Sequence, residues 1–179
     1  MRSYYYDETT GEDQRLPHDS MEAVSLEELS LLGVSYWKAD SIDQVDKISE
    51  ERNYKNRDQI ICSRTAMGDI YEEKLKTFFE EHLHEDEEIR WIMDGSGYFD
   101  VRDGADKRWI RIKVEKDDLI VLPPGIYHRF TVDENDYIRA MRLFKDEPKW
   151  IPLNRSEEND KNPSRKAYVE LLNRSGLAV

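Results

Sequence analysis

Hydrophobic and polar positions divide the chain into two textures. The first is helical. Residues 25–53 read as helical pieces around a short strand. Ser25-Leu26-Glu27-Glu28 has the form of a capping box, in which the Ser25 hydroxyl accepts from the Glu28 amide and the Glu28 carboxylate reaches back to the Ser25 amide. Gly33 is a stop, and Ser41-Ile42-Asp43-Gln44 opens a second helix. Leu75, Phe78 and Phe79 stand at helical spacing and predict a third over residues 72–81. The second texture, over residues 81–144, is one of short strands with turn signals between them. Arg90-Trp91-Ile92-Met93 meets the turn Asp94-Gly95-Ser96-Gly97, and Tyr98-Phe99-Asp100-Val101 meets the turn at Asp103-Gly104. Trp109-Ile110-Arg111-Ile112-Lys113-Val114 alternates, Leu119-Ile120-Val121-Leu122 runs into Pro123-Pro124-Gly125, and residues 128–132 and 138–144 complete the series. This is the pattern of a mainly β sandwich or barrel carrying a few peripheral helices, mostly N-terminal. Residues 153–179 form a polar tail with a short helix over 164–172, expected either to pack on the barrel or to stay partly mobile.

Composition narrows the field of functions. A chain of 179 residues suits one compact domain. Ten Tyr, four Trp and five Phe supply enough apolar surface to exclude global disorder. A formal net charge of -12 repels phosphate backbones and anionic lipid, which argues against nucleic acid or a membrane surface as partner. No apolar run is long enough to cross a bilayer, and residues 1–20 are polar and tyrosine-rich, without the apolar core of a signal peptide. Cys62 is the only cysteine, so no internal disulfide forms, which fits a reducing compartment. It lies in the apolar strand Ile60-Ile61-Cys62 and reads as inert core.

The chemistry is concentrated in few residues. Of four histidines, two form His82-Leu83-His84, followed by Glu85-Asp86-Glu87-Glu88. In one extended strand His82, His84, Glu88 and Arg90 would share a face. Asp86 has the same parity, and spacing alone does not choose between it and Glu88. The tight turn Pro123-Pro124-Gly125 launches the strand that bears His128. If that strand runs beside the first, a third imidazole joins the set. Three neutral nitrogens and one carboxylate suit Fe(II), Ni(II), Mn(II) or Zn(II). Four protein ligands in an octahedral shell leave two positions for a bidentate oxygen substrate. A closed structural zinc site has no such opening.

His82-x-His84-x-x-x-Glu88 with Gly95, and Pro123-x-Gly125-x-x-His128, resemble the two cupin motifs. Lys76 and Asp117 replace glycines of the general pattern, and Val132 replaces the asparagine that often follows the last histidine. Asp117 can adopt the left-handed turn required there. A closer resemblance is to the acireductone dioxygenase family. It rests on Glu80-Glu81-His82-Leu83-His84, Glu88-Ile89-Arg90, the run from Asp94 to Asp103, the run from Gly125 to Asp133, and Ala140-Met141-Arg142-Leu143-Phe144, with Arg15-Leu16-Pro17-His18 near the start. The resemblance implies a cupin jelly-roll barrel with His82, His84, Glu88 and His128 as ligands to one Fe(2+) or Ni(2+) per chain, which favours Glu88 over Asp86. It implies a small acireductone, an enediol-ketone with a methylthio group, as substrate together with O2. Arg90 would be the catalytic and substrate-orienting residue, Phe130 a wall of the pocket and Arg142 a second substrate-binding candidate. A monomer in the cytoplasm, and also in the nucleus, working in methionine salvage, completes the expectation.

Plainer roles stand beside these. Arg90 is also placed to pair with Glu87 or Glu88, Phe130 to fill core, and Arg142 shares its strand with Arg139 on the opposite face. The sequence does not decide which of the two points inward. His18, in a polar loop, is not expected to be a ligand. A different metal cupin enzyme would keep the four ligands, and a cupin-fold binding protein could retain them by descent.

Overall fold

The computed structural model describes residues 1–149 and 151–177. Strands β1 (Arg2–Tyr6) and β2 (Asp19–Ala23) precede helix α1 (Leu26–Leu31), strand β3 (Ser35–Lys38), helix α2 (Ile42–Arg52) and strand β4 (Asn56–Ser63). Helices α3 (Arg64–Met67) and α4 (Tyr71–Phe79) lead into β5 (His82–Leu83), β6 (Glu88–Arg102), β7 (Trp109–Glu115), β8 (Asp118–Leu122), β9 (His128–Val132), β10 (Tyr137–Phe144), β11 (Leu153–Asn154) and helix α5 (Pro163–Arg174). The chain is mainly β, as its pattern predicts. The Ser25 capping box forms in full.

The strands make two antiparallel sheets that share β6. One runs β11-β5-β9-β6-β7-β1-β2 and the other β4-β10-β6-β8-β3. Alternation then sorts each strand. Phe99, Val101, Ile110, Ile112 and Val132 of the first sheet meet Ile92, Ile120, Leu122, Ile138 and Ala140 of the second in the main core. The opposite face of the second sheet, with Ile89, Trp91, Leu119, Val121, Met141 and Leu143, packs under Val45 and Ile48 of α2. Fully burying each such side chain contributes about 1.5–3 kcal/mol.

Three departures from the sequence expectation position the site. First, no turn forms at Asp94-Gly95-Ser96-Gly97: these residues lie within one fifteen-residue strand, just past a bulge at Met93. There β6 leaves β8 and β10 and takes up β7 and β9 as partners. Gly95 serves this exchange of partners because it has φ +75, a backbone angle that other residues rarely adopt. A Cβ there would also collide with the Tyr137 carbonyl oxygen. Gly95→Ala is therefore expected to lower stability by about 1–3 kcal/mol, read as a lower midpoint in thermal unfolding. Second, residues 82–90 are not one strand. β5 ends at Leu83, residues 84–87 form a connection, and β6 starts at Glu88. Third, the polar N-terminus is ordered as β1, which pairs with β7. The sequence pattern assigns it no element, and Tyr4 is buried.

The C-terminal segment is docked. Tyr168 and Leu172 of α5 enter the main core, and the Tyr168 hydroxyl donates to the Leu32 carbonyl at 3.0 Å.

Candidate metal centre

The break after β5 brings the ligand candidates together from both sheets. β5 pairs antiparallel with β9, placing His82 opposite His128. Glu88, the first residue of β6, pairs with Leu122 on β8. The connection carrying His84 is fastened to the Pro123-Pro124-Gly125 turn by the Gly125 amide, which donates to the His84 carbonyl at 2.9 Å. One donor atom from each of His82, His84, Glu88 and His128 lies within 4.8 Å of the others. Asp86, the rival carboxylate, is exposed and lies 3.8 Å from Lys149.

The rings are oriented by carbonyl groups. His82 Nδ1 donates to the Glu80 carbonyl at 2.7 Å, His128 Nδ1 to Ile126 at 2.9 Å, and His84 Nδ1 to Ile151 at 3.1 Å. A carbonyl only accepts, so each Nδ1 carries the hydrogen and each Nε2 is left for the shared centre. His128 Nε2 lies 2.8 Å and His84 Nε2 3.1 Å from Glu88 Oε2. The His82 and His128 ring centres are 4.4 Å apart.

Electrostatics hold His82 and Glu88 in ligand form and act on His84 in the opposite direction. Burial, reinforced by the neighbouring His128, pushes the His82 pKa down to about 3, so this imidazole is neutral. Burial, the largest influence, opposes a charge on His84, but its hydrogen bond and charge attraction to Glu88, together with the Ile151 carbonyl, outweigh it and raise its pKa. Burial alone would push the Glu88 carboxyl up; Arg90, His128 and His84 instead hold it well below the usual range. Three imidazole nitrogens and an ionised carboxylate, already turned toward one point, fit a first-row divalent metal such as iron or nickel.

Arg90 is on the inner face of β6. Its guanidinium lies 3.1 Å from Glu88 Oε1 and donates to the Ile89 carbonyl at 3.0 Å. The salt bridge to Glu88 thus exists, and it holds Arg90 beside the ligands. Of the two β10 arginines, Arg142 shares the inner face with Ala140 and pairs in register with Arg90. Arg142 grips Asp58 of β4 through two bonds of 2.7 Å. Arg139 faces out and donates to Gln59 at 2.8 Å. Phe130 lies on the face of His128, with ring centres 5.0 Å from Phe99 and 6.3 Å from Phe78. His18 is buried away from the cluster, its Nε2 donating to the Asp13 carbonyl at 2.8 Å. Cys62 is buried, which pushes its thiol up to about 11, so it is inert at neutral pH.

Sequence reasoning missed the carbonyls of Glu80, Ile126 and Ile151, because a backbone acceptor has no residue-type signal. It also missed Asp58, whose signal is a charge at an inward position of a strand.

A model of the ARD/ARD' family matches residues 2–152. The chain belongs to that family. Relatives of the family extend over the whole chain. The acireductone dioxygenase of Puccinia graminis f. sp. tritici is 66% identical, covering 98% of this chain and 97% of that relative. The one from Phaeosphaeria nodorum is 61% identical over all of both chains. Among solved structures, an acireductone dioxygenase from Bacillus anthracis with a cadmium ion in its active centre covers 85% of this chain and 96% of its own, with a TM-score of 0.66. At 22% identity that likeness speaks for the fold, which is the cupin jelly roll. Membership in the ARD/ARD' family makes the chain an enzyme, an oxidoreductase of the dioxygenase class.

Proposed function

We propose that the chain is a metal-dependent acireductone dioxygenase of methionine salvage, with His82, His84, Glu88 and His128 holding one Fe(2+) or Ni(2+). The single observation that carries this is the convergence of those four donors on one point, in a chain 66% identical to an acireductone dioxygenase. The iron form would convert acireductone and O2 to 4-methylthio-2-oxobutanoate and formate. The nickel form would give 3-methylthiopropanoate, formate and carbon monoxide. Both sets of products account for every atom of one substrate and one O2.

A metal held by His82, His84, Glu88 and His128 would supply a Lewis-acidic, redox-capable centre for an oxygen-rich substrate and O2. The chain's own residues do the rest. Arg90 sits at 3.1 Å from Glu88 and supplies positive charge where the substrate dianion and its developing charge would lie. Phe130 offers an apolar wall on the His128 face. Arg142, opposite Arg90 on the neighbouring strand and tied to Asp58, is the second substrate-binding candidate. Arg90→Ala is expected to retain metal while kcat/KM falls by about 100-fold, the scale of one lost charge-stabilising donor. Steady-state kinetics with parallel metal analysis checks this. Equal loss of metal would move Arg90 from substrate to ligand support.

The deciding experiment supplies freshly generated acireductone, in air, to protein loaded with iron and separately with nickel. The keto acid with formate from iron, and carbon monoxide from nickel, are the expected products. No turnover above the spontaneous background, with metal bound, would reject acireductone as substrate.

A further inference from the structure

We propose that residues 151–155, on the C-terminal side of the barrel, form a clamp that orients His84 and thereby holds the metal in place. The proposal rests on the metal reading above and extends it to a segment that carries no ligand. His82 and His128 are each oriented by a carbonyl two residues earlier in the chain, just before their own strand, at 2.7 and 2.9 Å. His84 has no such local partner. Its Nδ1 donates to Ile151, 67 residues away. Two of the rings are thus set by their immediate chain neighbours, and the third by whether a distant segment is docked.

The docking contacts surround the ligand strand. β11 extends the sheet beside β5, with Leu153 opposite Leu83 and Asn154 opposite His82. Asn154 Nδ2 donates to Glu80 Oε2 at 2.8 Å. Arg155 donates its amide to the Glu81 carbonyl at 2.9 Å and Nη1 to the Glu81 carboxylate at 2.8 Å. Asn162, which caps α5, donates to Glu85 at 2.9 Å. Glu80 and Glu81 before the pair of histidines, and Glu85 after it, are therefore all held by the C-terminal segment. Partners that orient a ligand in this way typically account for about 10–100-fold in metal affinity.

The test uses the full-length chain with Asn154→Ala and Arg155→Ala combined, and Asn162→Ala as a second variant. Both alter partly or fully exposed side chains that are not part of the core. Arg108→Ala, which removes an exposed ion pair with Glu22, is the control. In metal-free wild type, nitrogen NMR of the histidines should show His84 with its hydrogen on Nδ1. The double variant should show a mixture of His84 tautomers while His82 and His128 are unchanged. From the nickel-loaded form, metal should escape to an excess of EDTA about 10-fold faster in the double variant. Release from the control should match wild type. An unchanged His84 tautomer with unchanged release overturns the clamp. Wild type that retains neither iron nor nickel overturns the metal reading, while the tautomer in the metal-free protein still decides whether the segment orients His84.

Discussion

His128→Ala is expected to abolish metal retention and to reduce turnover to the spontaneous background. Loss of a ligand should exceed the roughly 10–100-fold that removing a ligand's outer partner costs. Two features make His128 the most telling of the four. It is 2% exposed, so no water-exposed neighbour can swing in to replace it. It also touches each of the others: its ring centre lies 4.4 Å from His82 and 5.3 Å from His84, and its Nε2 lies 2.8 Å from Glu88. The fold should survive the change, because Glu88 keeps Arg90 and His84, each at 3.1 Å, and is not left as an unpaired buried charge. Circular dichroism of the variant should therefore match wild type while elemental analysis after desalting finds no bound iron or nickel. Stoichiometric metal in His128→Ala would sink the proposed ligand set.

Residue type and spacing made most of this site legible. Glu88 and Arg90 share a face because alternation holds within β6, and Phe130 shares the face of His128 for the same reason within β9. For His82 and His84 the parity argument reached by an incorrect route the group that converges. The strand it assumed is broken at residues 84–87, and His84 is brought in by a loop tied to Gly125. The turn-forming Asp94-Gly95 pair was misplaced for a related reason. A residue with φ +75 serves equally in a turn and at the point where a strand exchanges partners, and only the partners tell them apart. Asp117 does take the left-handed conformation expected of it, with φ 72. Whether Arg139 or Arg142 points inward was undecidable from β10 alone. It is settled by register, which places Arg142 between Arg90 and Asp58. Long-range backbone partners, such as the Ile151 carbonyl for His84, leave no trace in residue identity.

Asp100→Ala is expected to be the most destabilising single change on the outer face of the first sheet, at about 3–5 kcal/mol. Asp100 and Arg111 are 1% and 0% exposed, so their charges have no access to water. The carboxylate accepts from Arg111 Nε at 2.7 Å and Nη2 at 2.9 Å, and from Arg129 Nε at 2.8 Å. Arg111 also donates to the Gln14 and Leu16 carbonyls at 3.0 and 2.6 Å, which fastens the loop between β1 and β2. Tyr6 and Tyr98 lie over one guanidinium, and Phe79 and Trp109 over the other. Removing the one anion leaves the Arg111 cation buried under these rings and the loop, and the Arg129 cation largely covered beside it. At this chain length the loss corresponds to a fall of roughly 10 °C in the unfolding midpoint. The source can be separated from simple loss of packing. Replacing Asp100 by Leu together with Arg111 and Arg129 by Met removes all three charges at similar volume, and it should recover much of the stability lost in Asp100→Ala. If the triple variant is no more stable than the single one, the cost lies in the lost carbonyl bonds of Arg111, and the network serves to hold the N-terminal loop instead of to balance charge. The metal site should remain intact below the transition in either case. Val101 on β6 pairs with His128 through its backbone, and that register is fixed by five successive pairings between β6 and β9.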